Sequence, residues 1–228
     1  MRVGGLEKVS TVDYPGRLSA VVFSQGCNFR CPYCHNPDLV RPFGELMDEA
    51  GVLAFLGTRT KYLDAVVISG GEPTLAPDLD DYVERIKLLG FKVKLDTNGS
   101  RPDAVRSLIE RGLVDYVALD LKADPAAYPR ELAEAGEGAA VLETVSVLKS
   151  LGCPHEFRTT CAAPFVDEGS IEAIAKAASG DSPLYLQAVK SGRVFNRAFM
   201  ESHGPQPGPR ELAAWQKIAR RWLPCRIR

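Results

Sequence analysis

Short runs rich in β-branched residues alternate with helical patterns along almost the whole chain of 228 residues. The patterns predict six strands, at residues 19–24, 64–69, 91–96, 115–120, 155–160 and 183–188. Helices are predicted near residues 47–57, 78–90, 102–112, 139–151, 168–179 and 209–222. Because strict alternation of strands and helices builds a parallel sheet with right-handed crossovers, we expect an α/β fold. The sheet is either doubly wound or curled into a partial barrel, in one domain that spans residues 1–228.

Polar residues gather where the predicted strands end. Ligands of parallel α/β proteins bind beyond the carboxyl ends of the strands, so these residues should form one site. They comprise the loops 26–34, 70–73 and 96–99 and the side chains of Asp120, Lys122, Arg158 and Gln187.

The charge balance excludes a broad nucleic-acid surface, because 28 basic residues face 29 acidic ones. No apolar run approaches the roughly 20 residues that span a bilayer, and the first residues lack a signal-peptide pattern. We therefore expect a cytoplasmic protein with no membrane or nucleic-acid partner. Basic residues near the C-terminus fit a solvated helix face, with docking to an acidic partner as the alternative; they are Lys217, Arg220, Arg221, Arg226 and Arg228.

Three of the six cysteines lie in one short segment, GCNFRCPYCHNP, as Cys27, Cys31 and Cys34. The last two could form a dithiol redox pair or, with His35, a haem attachment site, but both interpretations leave Cys27 unused. Zinc could bind all three thiolates and His35, although a histidine directly after a ligand cysteine is poorly placed for the same tetrahedron. An iron–sulfur cluster remains, because three thiolates on a [4Fe-4S] cluster leave one iron open to another ligand.

The spacing Cys-x-x-x-Cys-x-x-Cys, with Tyr33 before the last cysteine, resembles the signature of the radical S-adenosylmethionine (radical SAM) enzymes. The resemblance implies a partial (β/α)6 barrel of the radical SAM type and an open iron that chelates S-adenosylmethionine. It also implies a cofactor contact for Tyr33. Gly70-Gly71-Glu72-Pro73 matches the GGEP element of the family, expected to hold the methionine amino group of the cofactor. A plain strand-to-helix turn is the alternative for this segment.

KLDTNG and ALDLKA are similar to elements of the activating enzymes of glycyl-radical proteins. The similarity implies that Asp96, Thr97 and Asp120 hold a monovalent cation near the cofactor. It further implies that the cofactor-binding residues include Asn98, Lys122 and Arg158. A turn at residues 96–99 and local ion pairs for the charged residues are the alternatives.

The segment from residue 10 to residue 40 is closest in pattern to the activating proteins of anaerobic ribonucleoside-triphosphate reductases. That resemblance implies reductive cleavage of S-adenosylmethionine to a 5′-deoxyadenosyl radical, which generates a glycyl radical on the anaerobic ribonucleotide reductase. The electron would come from a flavodoxin- or ferredoxin-type reductant. The alternatives are a radical SAM enzyme acting on a small molecule or peptide, and a zinc- or haem-binding electron-transfer or interaction module. Cys153, Cys161 and Cys225 are interpreted as buried or incidental.

Overall fold

One sheet of eight strands organises the protein, and its strands follow one another in chain order. The computed structural model describes residues 1–41, 44–133, 137–190 and 192–228. The strands are β1 (Val3–Ser10), β2 (Ser19–Ser24), β3 (Ala65–Gly70), β4 (Lys92–Thr97), β5 (Tyr116–Asp120), β6 (His155–Cys161), β7 (Leu184–Ala188) and β8 (Cys225–Ile227). β1 pairs with β2 antiparallel, and all later pairs are parallel. Because the order never reverses within the described sheet, the strands wind in one direction as in a barrel. The predicted α/β partial barrel is confirmed.

The helices connect these strands. They are α1 (Pro37–Val40), α2 (Glu49–Gly57), α3 (Leu79–Leu88), α4 (Pro102–Glu110), α5 (Glu137–Leu151), α6 (Glu168–Ala177), α7 (Arg197–Ser202) and α8 (Pro209–Ala219), with a 3-10 turn at Pro73–Leu75. Asp48 caps α2 because its carboxylate accepts from the backbone N–H of Gly51 at 2.9 Å. Asp167 caps α6 in the same way, because its carboxylate accepts from the backbone N–H of Ser170 at 2.8 Å. In the described chain, no helix combines the length and the apolar character of a membrane span.

The sequence patterns missed the two edge strands and two short helices, α1 and α7. β1 carries Gly4 and Gly5 and then the charged pair Glu7 and Lys8, so its β-branched residues are confined to its two ends and do not form the run that indicates a strand. β8 has three residues, too few for a visible alternation. Both strands form because the neighbouring strand offers an unpaired edge.

Alternate residues of each strand give the sheet two different walls. The outer wall is apolar and packs against the helices, with Val22, Ile68, Leu95, Leu119 and Phe157 buried in the main core. The inner wall has a second, small apolar cluster that includes Val21, Val67 and Tyr14. Above this cluster, charged side chains replace apolar ones on the inner wall, and this change defines the floor of the site.

Candidate active site

A cavity of about 310 Å³ opens where the strands end, within the size range of small-molecule pockets. It brings together twelve of the thirteen residues predicted for the site, from five different strand ends. These residues are Cys27, Cys31, Tyr33, Cys34, Gly70, Gly71, Asp96, Thr97, Asn98, Asp120, Lys122 and Arg158. Glu72 does not line this cavity.

The cysteine loop is held in place mainly by its backbone. The N–H of Gly26 donates to the carbonyl of Leu39 at 2.8 Å, and the N–H of Arg30 donates to the carbonyl of Leu132 at 2.9 Å. On the other side, the N–H of Phe195 donates to the carbonyl of Cys34 at 3.0 Å. These backbone bonds hold the loop on both sides, and the side chain of Asn28 adds hydrogen bonds to Ser100 and Asn98.

All three thiols of this loop are free. Burial raises the pKa of Cys27 to about 12 and that of Cys31 to about 11, so both are protonated at neutral pH until a metal displaces the proton. No three His, Cys, Asp or Glu side chains of the described chain converge on a single ion. A cluster with separate iron corners needs each cysteine to reach only its own iron, and soft thiolates suit iron–sulfur centres. This donor set fits the expected cluster.

Gly70 and Gly71 allow the turn after β3 to lie directly on the cysteine loop. The N–H of Gly71 donates to the carbonyl of Ser24 at 2.9 Å, and the N–H of Glu72 donates to that of Gly26 at 2.8 Å. A Cβ at Gly71 would overlap the carbonyl oxygen of Gly26, and one at Gly70, where φ is +113°, would overlap the backbone of Ser24. The missing side chains thus make room for the cysteine loop.

Glu72 is turned into the protein, with 2% of the residue exposed. Its carboxylate accepts from the hydroxyl of Thr74 at 2.6 Å and from the N–H of the same residue at 3.1 Å. It also accepts from the hydroxyl of Thr97 at 2.8 Å and from the N–H of Asn98 at 2.6 Å. Burial raises the pKa of Glu72, and these hydrogen bonds oppose the rise. In the structure Glu72 joins the ends of β3 and β4, and its contact with a cofactor amino group stays a prediction.

The turn after β4 is fixed by its own side chains. Asn98 donates from Nδ2 to the side-chain oxygen of Asn28 at 3.0 Å and accepts at Oδ1 from the N–H of Ser100 at 2.9 Å. Thr144 on α5 donates its hydroxyl hydrogen to the carbonyl of Gly99 at 2.7 Å. Asn98 Nδ2 also lies 4.0 Å from the sulfur of Cys27, so this turn borders the cysteine loop.

A chain of alternating charges forms the floor of the cavity. Arg158 is its centre, because Nε donates to Asp120 at 2.8 Å while Nη1 donates to Asp96 at 3.1 Å. Each carboxylate has a lysine as a second partner. Lys94 donates to Asp96 at 2.6 Å, and Lys122 donates to Asp120 at 2.8 Å. Lys94 does not line the cavity, so two carboxylates and two cations of this chain of charges face it.

Neighbouring charges decide the protonation of this floor. Burial opposes ionisation of Asp96 and Asp120, but the charge of Arg158 and of the nearest lysine outweighs burial and holds the pKa of both carboxyls below the ordinary value. Burial likewise opposes the charge of Lys122, and Asp120 outweighs it, so the pKa of Lys122 is raised. Asp96, Asp120, Lys122 and Arg158 are therefore ionised at neutral pH.

The monovalent cation at Asp96, Thr97 and Asp120 stays a prediction, and the structure shows which protein groups contact these residues. Protein cations already occupy both carboxylates, and the hydroxyl of Thr97 donates to Glu72 on the other side of the strand. The local ion pairs that the sequence left open as an alternative are what the structure contains.

Lys94 is the floor residue that sequence reasoning missed, and it is 1% exposed. Its signal is the pattern KVKLDT, in which Lys94 and Asp96 are two residues apart on a strand and so share a face. Cys153, Cys161 and Cys225 are buried and do not line the cavity, nor does Gln187.

The family model of the radical SAM superfamily matches residues 21–178. The chain belongs to the radical SAM superfamily. A Methanocaldococcus jannaschii protein assigned by name to the glycyl-radical enzyme activating enzymes is 37% identical over 227 residues, covering 97% of this chain and 92% of that protein. The pyruvate formate-lyase-activating enzyme of Clostridium pasteurianum is 36% identical over 128 residues, covering 53% of this chain and 52% of that enzyme.

Solved structures agree on the fold of this radical SAM protein. Streptococcus suis SuiB bound to S-adenosylmethionine superposes with a TM-score of 0.68 at 15% identity, covering 91% of this chain and 49% of that one. TYW1 with a lysine-pyruvate adduct superposes with a TM-score of 0.60 at 16% identity, covering 89% of this chain and 73% of that one.

Proposed function

We propose that this radical SAM protein activates a glycyl-radical protein. The observation that carries the proposal is the similarity to a named activating enzyme along nearly the full length of both chains. The cavity supports it, because three free thiols line it together with the cationic groups of Lys122 and Arg158. We also propose that residues 1–228 form one domain, since strands from both ends of the chain belong to one sheet.

In this proposal Cys27, Cys31 and Cys34 hold a [4Fe-4S] cluster, and S-adenosylmethionine binds beside it in the cavity. Bound together, these two cofactors supply one-electron cleavage of the sulfonium and a 5′-deoxyadenosyl radical that abstracts hydrogen. The chain supplies a rigid frame. Glu72 and the turn after β3 fix the position of the cysteine loop, and Asn98 closes the side next to Cys27.

Arg158 and Lys122 place fixed cationic groups at the floor of the cavity. Their cationic groups are held by carboxylates, so little free energy is spent on rearranging them when an anionic group of a ligand arrives. The two cations that line the cavity, Lys122 and Arg158, suit a carboxylate of the ligand. The ring of Tyr33 is buried against Phe165, with 5.9 Å between centroids, and offers an apolar wall for a flat group.

The proposed target is the anaerobic ribonucleotide reductase, with a flavodoxin- or ferredoxin-type reductant and a cytoplasmic location. The resemblance of the segment from residue 10 to residue 40 supports this choice of target. A peptide substrate is the second candidate. The PqqA peptide cyclase of Streptomyces rochei is 39% identical over 132 residues, but this match covers 56% of the chain and 36% of that enzyme.

The test is incubation of the reduced, cluster-loaded protein with S-adenosylmethionine and the anaerobic ribonucleotide reductase encoded in the same genome. Electron paramagnetic resonance should show a glycyl doublet on the reductase. A variant reductase with alanine at the radical glycine is the control and should give no doublet. Production of 5′-deoxyadenosine without a doublet on any glycyl-radical protein of that genome would favour the peptide substrate.

A further inference from the structure

A second opening lies on the outer side of the cysteine loop. It has a volume of about 490 Å³ and is lined by Arg30, Arg101 and Arg130, with Glu137 and Cys27 at its inner end. We call it the arginine crevice. Leu132 and Ala133 complete its wall, so the crevice combines an apolar surface with guanidinium groups.

The arginine crevice carries a net positive charge on a chain whose overall charge is −1. Arg101 lies 3.7 Å from Glu137, a long ion pair that leaves the guanidinium 46% exposed. Arg30 and Arg130 are exposed, and neither forms an ion pair with any residue that the structure describes. Two of the three arginines are therefore available to acidic groups of another molecule.

Three of the five basic residues near the C-terminus differ in this respect. Arg221 pairs with Glu172 at 3.5 Å, and Arg228 pairs with Glu156 at 3.2 Å. Arg220 donates from Nε to the carbonyl of Cys225 at 3.1 Å. These arginines serve the fold, so the alternative of an acidic partner at the C-terminus has less support than the arginine crevice.

Cys27 lines both the arginine crevice and the main cavity, whereas Cys31 and Cys34 line the main cavity alone. Cys27 thus borders both openings. The adjacent Asn28 is fixed, because its Nδ2 donates to the hydroxyl of Ser100 at 2.9 Å and to Glu137 at 3.3 Å. A protein surface placed on the arginine crevice would come close to the Cys27 corner of a bound cluster along a short and rigid path.

We propose that the arginine crevice is the docking surface for an acidic one-electron carrier protein. The carrier loses one electron and the cluster gains one, so the step needs no proton and no further reactant. Charge complementarity selects the occupant: acidic side chains around the redox group of the carrier would face the arginines and place that group toward Cys27. This inference rests on the proposed function, since it requires the cluster at Cys27.

The test compares the wild-type protein with Arg30→Glu/Arg130→Glu. The matched control is Arg210→Glu/Arg226→Glu, which makes the same charge change at exposed arginines away from both openings. Binding of an acidic flavodoxin to each reconstituted protein is measured by calorimetry at several salt concentrations. The crevice variant should lose about ten-fold or more in affinity and most of the salt dependence, and the control should behave as the wild type. Arg130→Glu alone, which lies outside the cysteine loop, should lose part of the affinity.

Cleavage of S-adenosylmethionine is then followed with two reductants, reduced flavodoxin and the cationic radical of methyl viologen. The proteins are matched in iron and sulfide content. The crevice variant should then cleave S-adenosylmethionine more slowly than the wild type with flavodoxin, and at the wild-type rate with methyl viologen. Equal flavodoxin affinity in all proteins would overturn the docking surface, and so would equal slowing with both reductants. Loss of binding to the glycyl-radical protein in place of flavodoxin would assign the crevice to that partner and overturn the proposal. Failure of the wild type to cleave with methyl viologen would refute the proposed function instead.

Discussion

The carboxylate of Glu72 accepts a 2.6 Å hydrogen bond from the backbone N–H of Asn98, 26 residues further along the chain. The bond connects the turn after β3 with the turn after β4, and both turns border the cysteine loop. A glutamate that sequence motifs assign to the cofactor therefore acts first on the protein itself. The following predictions test this frame, the glycine contact beside it, the charged floor and the thiols.

Glu72→Gln should lower the free energy of unfolding by about 1–3 kcal/mol, the cost of leaving buried polar groups unsatisfied. Glutamine has one acceptor oxygen where Glu72 uses two, and its amide hydrogens would face either the hydroxyl donor of Thr97 or the N–H of Asn98. Urea unfolding measures the change, and Glu143→Gln at an exposed position should stay within about 0.5 kcal/mol of wild type. Weaker S-adenosylmethionine binding at unchanged stability would instead place Glu72 on the cofactor.

Gly71→Ala should destabilise the protein by about 2 kcal/mol or more and reduce cluster loading, because the new methyl group overlaps the carbonyl oxygen of Gly26. The turn after β3 would have to move away from the cysteine loop. Iron content after anaerobic reconstitution and thermal unfolding report the two effects. Gly169→Ala, in the first turn of α6 with no close contact, should leave both unchanged, and equal behaviour of the two variants would contradict the packing role.

Arg158→Gln should move acid unfolding to higher pH. In the wild type the pKa of Asp96 and Asp120 lies below the ordinary value of about 3.9, so their ionised forms contribute stability above that pH and lose it as the pH falls. Removing Arg158 takes away the largest favourable charge on both carboxyls, and their pKa values rise. The loss of stability therefore begins at a higher pH.

Circular dichroism between about pH 2 and pH 7 follows this shift, because that interval includes the ordinary carboxyl pKa. At neutral pH the variant should also lose about 3 kcal/mol, the lower part of the range for a broken buried pair, because Lys94 and Lys122 remain. Arg158→Lys keeps the charge but cannot contact both carboxylates at once. Its acid midpoint and its free energy of unfolding should therefore lie between those of the wild type and of Arg158→Gln. An unchanged acid midpoint in Arg158→Gln would show that the lysines alone hold the carboxylates.

Alanine at Cys27, Cys31 or Cys34 should abolish the iron–sulfur absorbance and the cleavage of S-adenosylmethionine, because each thiolate holds one corner of the proposed cluster. Cys153→Ala is the matched control, since this cysteine is buried but does not line the cavity. It should keep full iron and sulfide content. Full activity in any one of the three loop variants would remove that residue from the ligand set, and zinc in place of iron would revive the alternative of a zinc module.

The strands were predictable where burial on the outer wall is continuous, as in Ala65–Gly70, and the position of the site followed from the carboxyl ends of the parallel strands. The partners of individual carboxylates were not predictable in the same way. A motif tells that Glu72 or Asp96 is near the site, but whether it faces a ligand or a neighbouring donor depends on the packing of β3 against β4. Lys94 was missed because a charged residue in a buried strand is explained only by its partner.

Strand order that matches chain order has a consequence for biosynthesis. Each new strand can add to the one made just before it, so the sheet can grow from the N-terminal side while the ribosome still holds the rest. The floor, however, stays incomplete until β6 emerges, because Arg158 reaches back 62 residues to Asp96. If metal reached the cysteines before β6 is made, Asp96 and Asp120 would still lack their shared cation, Arg158. We therefore expect the metal to be inserted after β6 has been synthesised.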